Sequence, residues 1–217
     1  QMGDTSQKRT SLVNGVLLLI YIISGALNPI VLEYIKQQGA APPDSLLFSI
    51  PNSVAMSLLL FVPQKESRIT FIEKFWKQAL LMTFIDVAGT SLTLFGQILC
   101  GSGIYIVIYS SLTVWSAIGS RIMMKKHFNI WQFIGIVVVT LGLAVSGVAS
   151  LDEGSSIIIG VCIALVGTIF HSAVYWLNEF FNFKYTVNLQ IMCGYTGVGG
   201  ILLYLIYECV YTIPRWE

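Results

Sequence analysis

Apolar runs of about twenty residues, separated by short charged or Gly- and Pro-containing stretches, set the pattern of this chain. A hydrocarbon core roughly 30 Å thick is crossed by a helix of about 20 mostly apolar residues. Seven segments fit: Leu12–Leu32, with Asn28-Pro29; Leu46–Val62, short and containing Pro51; Gln78–Leu99, containing Asp86; Ser102–Met124; Ile130–Ala149, without a charge; Ile157–Phe181, containing His171; and Leu189–Tyr211, containing Glu208. The expected fold class is all-α, a polytopic membrane helical bundle of about seven transmembrane helices. Between the second and third segments, QKESRITFIEKFWK interleaves basic residues with Phe71, Phe75 and Trp76. That is the pattern of a segment lying in a headgroup layer.

Composition strengthens the membrane reading. Of 217 residues, 55% are hydrophobic and 11% charged, whereas a soluble domain carries roughly 25% charged residues. Too few polar groups exist to cover a soluble surface. A net charge of +1 gives no electrostatic case for nucleic acid. The expected partners are membrane lipid, a small-molecule solute, and a second copy or other membrane subunits that complete the bundle. Cys100, Cys162, Cys193 and Cys209 lie in or at the ends of apolar runs with no CxxC spacing, so they read as small core residues rather than metal or redox groups. No cofactor or metal site is expected.

The opening QMGDTSQKRT is short and polar, and the apolar run after it is too long for the core of a signal peptide. It reads as a first spanning helix behind a cytosolic tail, residues 1–11. With the N-terminus in the cytosol, ten of the 12 Lys and Arg residues fall on the cytosolic side; only Lys36 and Arg215 fall on the other. Positive-inside asymmetry therefore predicts seven spans with the N-terminus in. The acidic loop Leu151-Asp152-Glu153 then lies outside. An endomembrane or organelle is the expected location.

The polar residues inside the apolar runs are the candidate chemistry. Asp86, Thr90, Thr93 and Gln97 are offset by 4, 7 and 11 residues, one narrow stripe on a helix. A charge at the centre of a membrane helix costs about 2.5–3.5 kcal/mol on insertion scales and normally faces a bundle interior. The stripe reads as the wall of a polar cavity, or as a carboxyl bonded to a neighbouring helix. Partners on other helices are Asn28, four residues after Ser24, and Tyr105 and Tyr109, also four apart. An interfacial belt position is the alternative for the tyrosines, and fits Tyr105 better than Tyr109. Gly160, Ala164, Gly167 and His171 form one face, spaced for close helix approach. His171 itself reads as a packing residue or a proton carrier. Glu208, near the end of its segment, is expected to reach the interface. Gly194, Gly197, Gly199 and Gly200 read as close packing. HExxH, a serine elbow, a phosphate-cradling loop and paired intramembrane aspartates are all absent from the sequence, so no enzyme is expected.

The run from Asp86 to Gly147 resembles the third to fifth helices of the drug/metabolite transporter superfamily, in particular the nucleotide-sugar-transporter-like solute carriers and the chloroquine-resistance-transporter-like proteins. An Asp followed three residues on by Gly-Thr, the turn Gly101-Ser102-Gly103, and a long helix ending in MMKKHF before Trp131-Gln132 carry the resemblance. It implies a fold of two inverted five-helix repeats around a central cavity: residues 12–149 are the first repeat, and 150–217 the first two helices of an incomplete second. It implies that Asp86, Thr90 and Gln97 line the cavity and that Tyr105 and Tyr109 face them; Asn28 is placed by position in the first helix. Every Lys and Arg lies in a loop or at a helix end, which favours a neutral or cationic solute over a polyanion. The expected function is secondary-active transport of a small polar or cationic metabolite by alternating access. The alternative is a transporter-derived structural subunit that moves no solute, motivated by the stop after seven segments, which also fits a fragment of a longer chain.

Overall fold

The computed structural model describes residues 45–63, 68–125, 129–149, 155–185 and 187–215, together with single positions between 15 and 38. The tail 1–11, Pro29, Lys126 and the acidic loop 151–153 lie outside the described residues. The chain forms two units, Gln1–Ala40 and Ala41–Glu217. The first contains a short apolar helix, α1 (Ile23–Leu32), on which Asn28 is exposed.

The second unit is built of helices, with no strand among its described residues. Its elements are α2 (Ile50–Ser57), α3 (Arg68–Ser110), α4 (Leu112–Met124), α5 (Ile130–Ala149), α6 (Ser155–Tyr185) and α7 (Leu189–Tyr207). Three stretches are long and apolar enough to cross a membrane: Glu73–Met124, Ile157–Tyr185 and Leu189–Thr212. Ile23–Leu32, Leu47–Phe61 and Phe133–Gly142 are shorter apolar helices. By length and apolarity the described residues thus carry three candidate spanning stretches, and the seven spans expected are not supported. The second expected span shows why. Pro51 sits in the first turn of α2, and the segment is a 3₁₀ turn (Leu47–Ser49), eight α-helical residues and a second 3₁₀ turn (Leu58–Phe61).

Glu73–Met124 is not one rod. Gly101 has φ 79 and ψ 162, a region essentially confined to glycine, and breaks the helix inside the Gly-Ser-Gly turn. Contacts with α6 give the direction of each half. Along α3, Gly89, Thr93, Gly96 and Cys100 meet positions 171, 167, 164 and 160 of α6, so the two run antiparallel. After the break, Tyr109 meets His171 and Ser120 meets Glu179, so this part runs parallel to α6. The chain turns back at Gly101 and lines α6 twice. Lys125, at φ 51, ends α4 in the left-handed conformation.

Two further seams hold the unit together. A Cβ on Gly197 or Gly200 would press into Ser53 of α2, and one on Gly194 into Leu60, so α2 and α7 pack antiparallel through small residues. Helix α7 opens on Asn188, whose Oδ1 accepts from Gln190 N at 3.1 Å and Ile191 N at 3.4 Å, an N-cap. From Arg68 onward, the segment expected to lie in a headgroup layer forms the start of α3. Phe71 and Phe75 are buried against Ile191, Met192 and Phe181, with Phe71 stacked on Tyr195 at 6.0 Å. Only Trp76 of the three aromatics is exposed, beside Lys77. Basic neighbours do not mark these phenylalanines as surface residues: Phe71, Phe75, Ala79 and Met82 recur at helical period and share one buried face.

Candidate functional site

The α3 stripe lies along the border between two packed faces. Gly89, Gly96 and Cys100 face α6, while Thr83 faces Gly199 of α7. Asp86 and Thr90 sit toward Tyr204 of α7; Thr93 touches Gly167 of α6. Asp86, Thr93 and Gln97 are buried, and Thr90 is half-buried. The same 3.6-residue period that aligns them in sequence places them at this three-helix junction.

On the α7 side, Asp86 is 6% exposed. Among the described residues, no basic group and no hydrogen-bond donor acts on its carboxyl. Tyr204, 1% exposed, brings its hydroxyl beside Thr90 and Ser49 and within electrostatic reach of Asp86. These hydroxyls are neighbours out of hydrogen-bonding geometry: Tyr204 Oη and Thr90 Oγ1 are both buried with no partner among the described residues. Cys193 is the other titratable side chain on α7 within reach of Asp86.

On the α6 side the chemistry differs. Thr93 Oγ1 donates to its own helix, lying 2.9 Å from both Gly89 O and Thr90 O. Aromatic rings continue from there. Tyr105 and Tyr109 are 5.5 Å apart, Tyr109 meets His171 edge-on at 5.8 Å, and His171 lies 6.2 Å from Tyr175. His171 Nδ1 is buried without a hydrogen-bond partner among the described residues. The structure thus brings Asp86, Thr90, Thr93, Tyr105, Tyr109 and His171 into two adjoining groups, one on the α7 side of α3 and one between α3 and α6. Asn28 belongs to the other unit. Among the described residues, no three His, Cys, Asp or Glu side chains come together as metal ligands.

Several residues of this region escape a reading of the sequence alone. Tyr204 and Ser49 complete the Asp86 group. Ser45, Ser49, Ser53 and Ser57 recur every four residues, the signal that would have placed one polar face along this segment. Glu208, expected at the interface, is 4% exposed. Its Oε1 accepts from Leu46 N at 2.7 Å, and Ser45 Oγ lies 3.2 and 3.3 Å from its two oxygens. It caps the amide of the segment entering α2 and is part of a π-helical turn, Glu208–Thr212. Glu179 accepts from Ser120 Oγ at 2.8 Å, tying α6 to α4. The four cysteines are free thiols, with Cys100 buried and Cys162 and Cys209 exposed.

No family model and no solved structure matches the chain. It is similar to the uncharacterized protein C12G12.12 of Schizosaccharomyces pombe, 24% identical over 128 residues. That match covers 58% of this chain and 40% of the relative, which is therefore the longer protein.

Proposed function

We propose that the chain is a secondary-active membrane transporter of a small polar or cationic metabolite, working by alternating access in a drug/metabolite-transporter-like fold with the N-terminus in the cytosol. The observation that carries this reading is the Asp86 group: a carboxyl and two unpartnered hydroxyls buried at a helix junction in a chain of membrane composition. A helix that needed only to be anchored has no use for unspent polar groups there, because each unmatched buried group costs about 1–3 kcal/mol. Sites of this kind mark solute and ion pathways. A second feature favours inverted repeats. The second and seventh helices are equivalent if each repeat has five, and a two-fold axis in the membrane plane packs equivalent helices antiparallel. Helices α2 and α7 are packed that way.

Uptake into liposomes holding the purified chain tests the proposal, with a panel of neutral, cationic and anionic metabolites. Asp86→Asn is expected to lower uptake at least tenfold with the folded yield unchanged. Normal uptake by that variant, or no uptake of any solute by the parent, sinks the assignment.

A further inference from the structure

The Asp86 group has a composition that narrows what it can hold. Its donors are oxygens from three elements: the Asp86 carboxyl and Thr90 hydroxyl on α3, the Tyr204 hydroxyl on α7, and Ser49 in the 3₁₀ turn before α2. Two of those hydroxyls are buried with no hydrogen-bond partner among the described residues, and that of Tyr204 belongs to a side chain almost wholly removed from solvent. Their lone pairs are unspent. A buried carboxylate with no basic neighbour is costly unless something positive joins it. Hard oxygen donors suit hard cations, and soft-metal sites want thiolate or imidazole. One carboxylate balances one positive charge, whereas calcium takes six to eight oxygens and usually several carboxylates.

We propose that Asp86, Thr90 and Tyr204, with Ser49, form a binding site for one monovalent cationic group, either a free alkali ion or the ammonium head of a solute. The site extends the polar interior of the transporter reading and rests on it. The cation sits between α3 and α7, taking the lone pairs that the hydroxyls leave open and neutralising the carboxylate. Thr93, whose hydroxyl is bonded to its own helix, contributes no ligand to it.

Thermal unfolding of the purified full chain in detergent tests the site without any flux. Sodium, potassium and methylammonium chloride are each compared with choline chloride at one ionic strength. Choline is bulky and has no N–H donor. A rise in Tm of several degrees over choline is expected for at least one of the three. A response to an alkali ion alone assigns a free ion; a response to methylammonium alone assigns a solute ammonium head. The response should be lost in Tyr204→Phe, which removes one oxygen and keeps the ring, and in Asp86→Asn. It should persist in Thr140→Val, a hydroxyl on α5 bonded to Ile136 O. Equal Tm in all four salts overturns the site, and so does an undiminished response in Tyr204→Phe, whether or not Asp86→Asn folds. A cation response in a chain that moves no solute would keep the site and discard transport.

Discussion

The two seams that α3 makes are built from different materials. Toward α6 it presents Gly89, Gly96 and the backbone around Thr93, and α6 answers with Gly160, Ala164 and Gly167. Toward α7 and the turn before α2 it presents Asp86 and Thr90, answered by Tyr204 and Ser49. In lipid, no hydrophobic force pulls helices together, so close backbone packing does that work. The first seam is filled to contact. The second keeps polar groups whose bonds are not made. One helix thus has a face packed to contact and a neighbouring face with unspent chemistry.

The sharpest test of the rigid seam is Gly96. A Cβ there would lie 2.5 Å from the backbone N of Ala164 and 2.6 Å from its Cα, and backbone atoms cannot rotate away. Gly96→Ala is expected to cost about 3 kcal/mol or more, at the upper end of overpacking effects, read as a large drop in Tm and in folded yield. Gly103→Ala is its control. Nothing lies within 4 Å of a Cβ at that position, and exchanging a helical glycine for alanine gains about 0.5–1 kcal/mol. If both variants behave alike, the α3–α6 seam is not filled as described.

Glu208 probes the turn that follows α7. Its carboxylate is the acceptor for Leu46 N and Ser45 Oγ. Glu208→Ala leaves a buried main-chain amide unmatched and should cost about 1–3 kcal/mol. Glu208→Gln keeps an acceptor oxygen and should cost less than half as much. Hydrogen exchange at the Leu46 amide, quickened in the alanine variant and nearly unchanged in the glutamine variant, separates a lost cap from a general loosening.

How far each feature can be read from the chain depends on how local it is. The Asp86 stripe is legible because helical period alone aligns it. The break at Gly101 is legible because a Gly-Ser-Gly turn inside an apolar run has few other uses. Glu208 is not, because its meaning depends on Ser45 and Leu46, more than 160 residues away. Phe71 and Phe75 mislead for the same reason: an aromatic among lysines looks the same in a headgroup layer as against Ile191 and Met192. The serines at 45, 49, 53 and 57 carry a usable period, but serine in an apolar helix bonds its own backbone so readily that each looks innocuous alone. Ser57 does so, donating to Val54 O at 2.7 Å. The expectation of seven spans rests on apolarity, which registers neither 3₁₀ turns nor how far a segment reaches; Leu47–Phe61 falls short of a full crossing on both counts.

The smallest expected effect divides the stripe itself. Thr93→Val preserves shape and β-branching, and it removes a hydroxyl whose two bonds run only to carbonyls of its own helix. Those carbonyls remain able to bond within the helix, so the change should stay within about 0.5 kcal/mol. The Tyr105 hydroxyl, which faces Thr93, would then face a methyl group; a slight loosening of the Tyr105–Tyr109 ring pair is the expected trace, visible as altered tyrosine fluorescence rather than as a shift in Tm. Thr90→Val makes the matching change one turn earlier, at a hydroxyl that bonds nothing. It should leave the protein as stable as Thr93→Val does, or more so, since it removes an unmatched buried oxygen. The two variants should part only when the interior is occupied: cation-dependent stabilisation survives in Thr93→Val and falls in Thr90→Val. Identical behaviour of the pair in every salt would mean that the border between the two faces of α3 has no chemical consequence, and the contrast between the seams would reduce to packing.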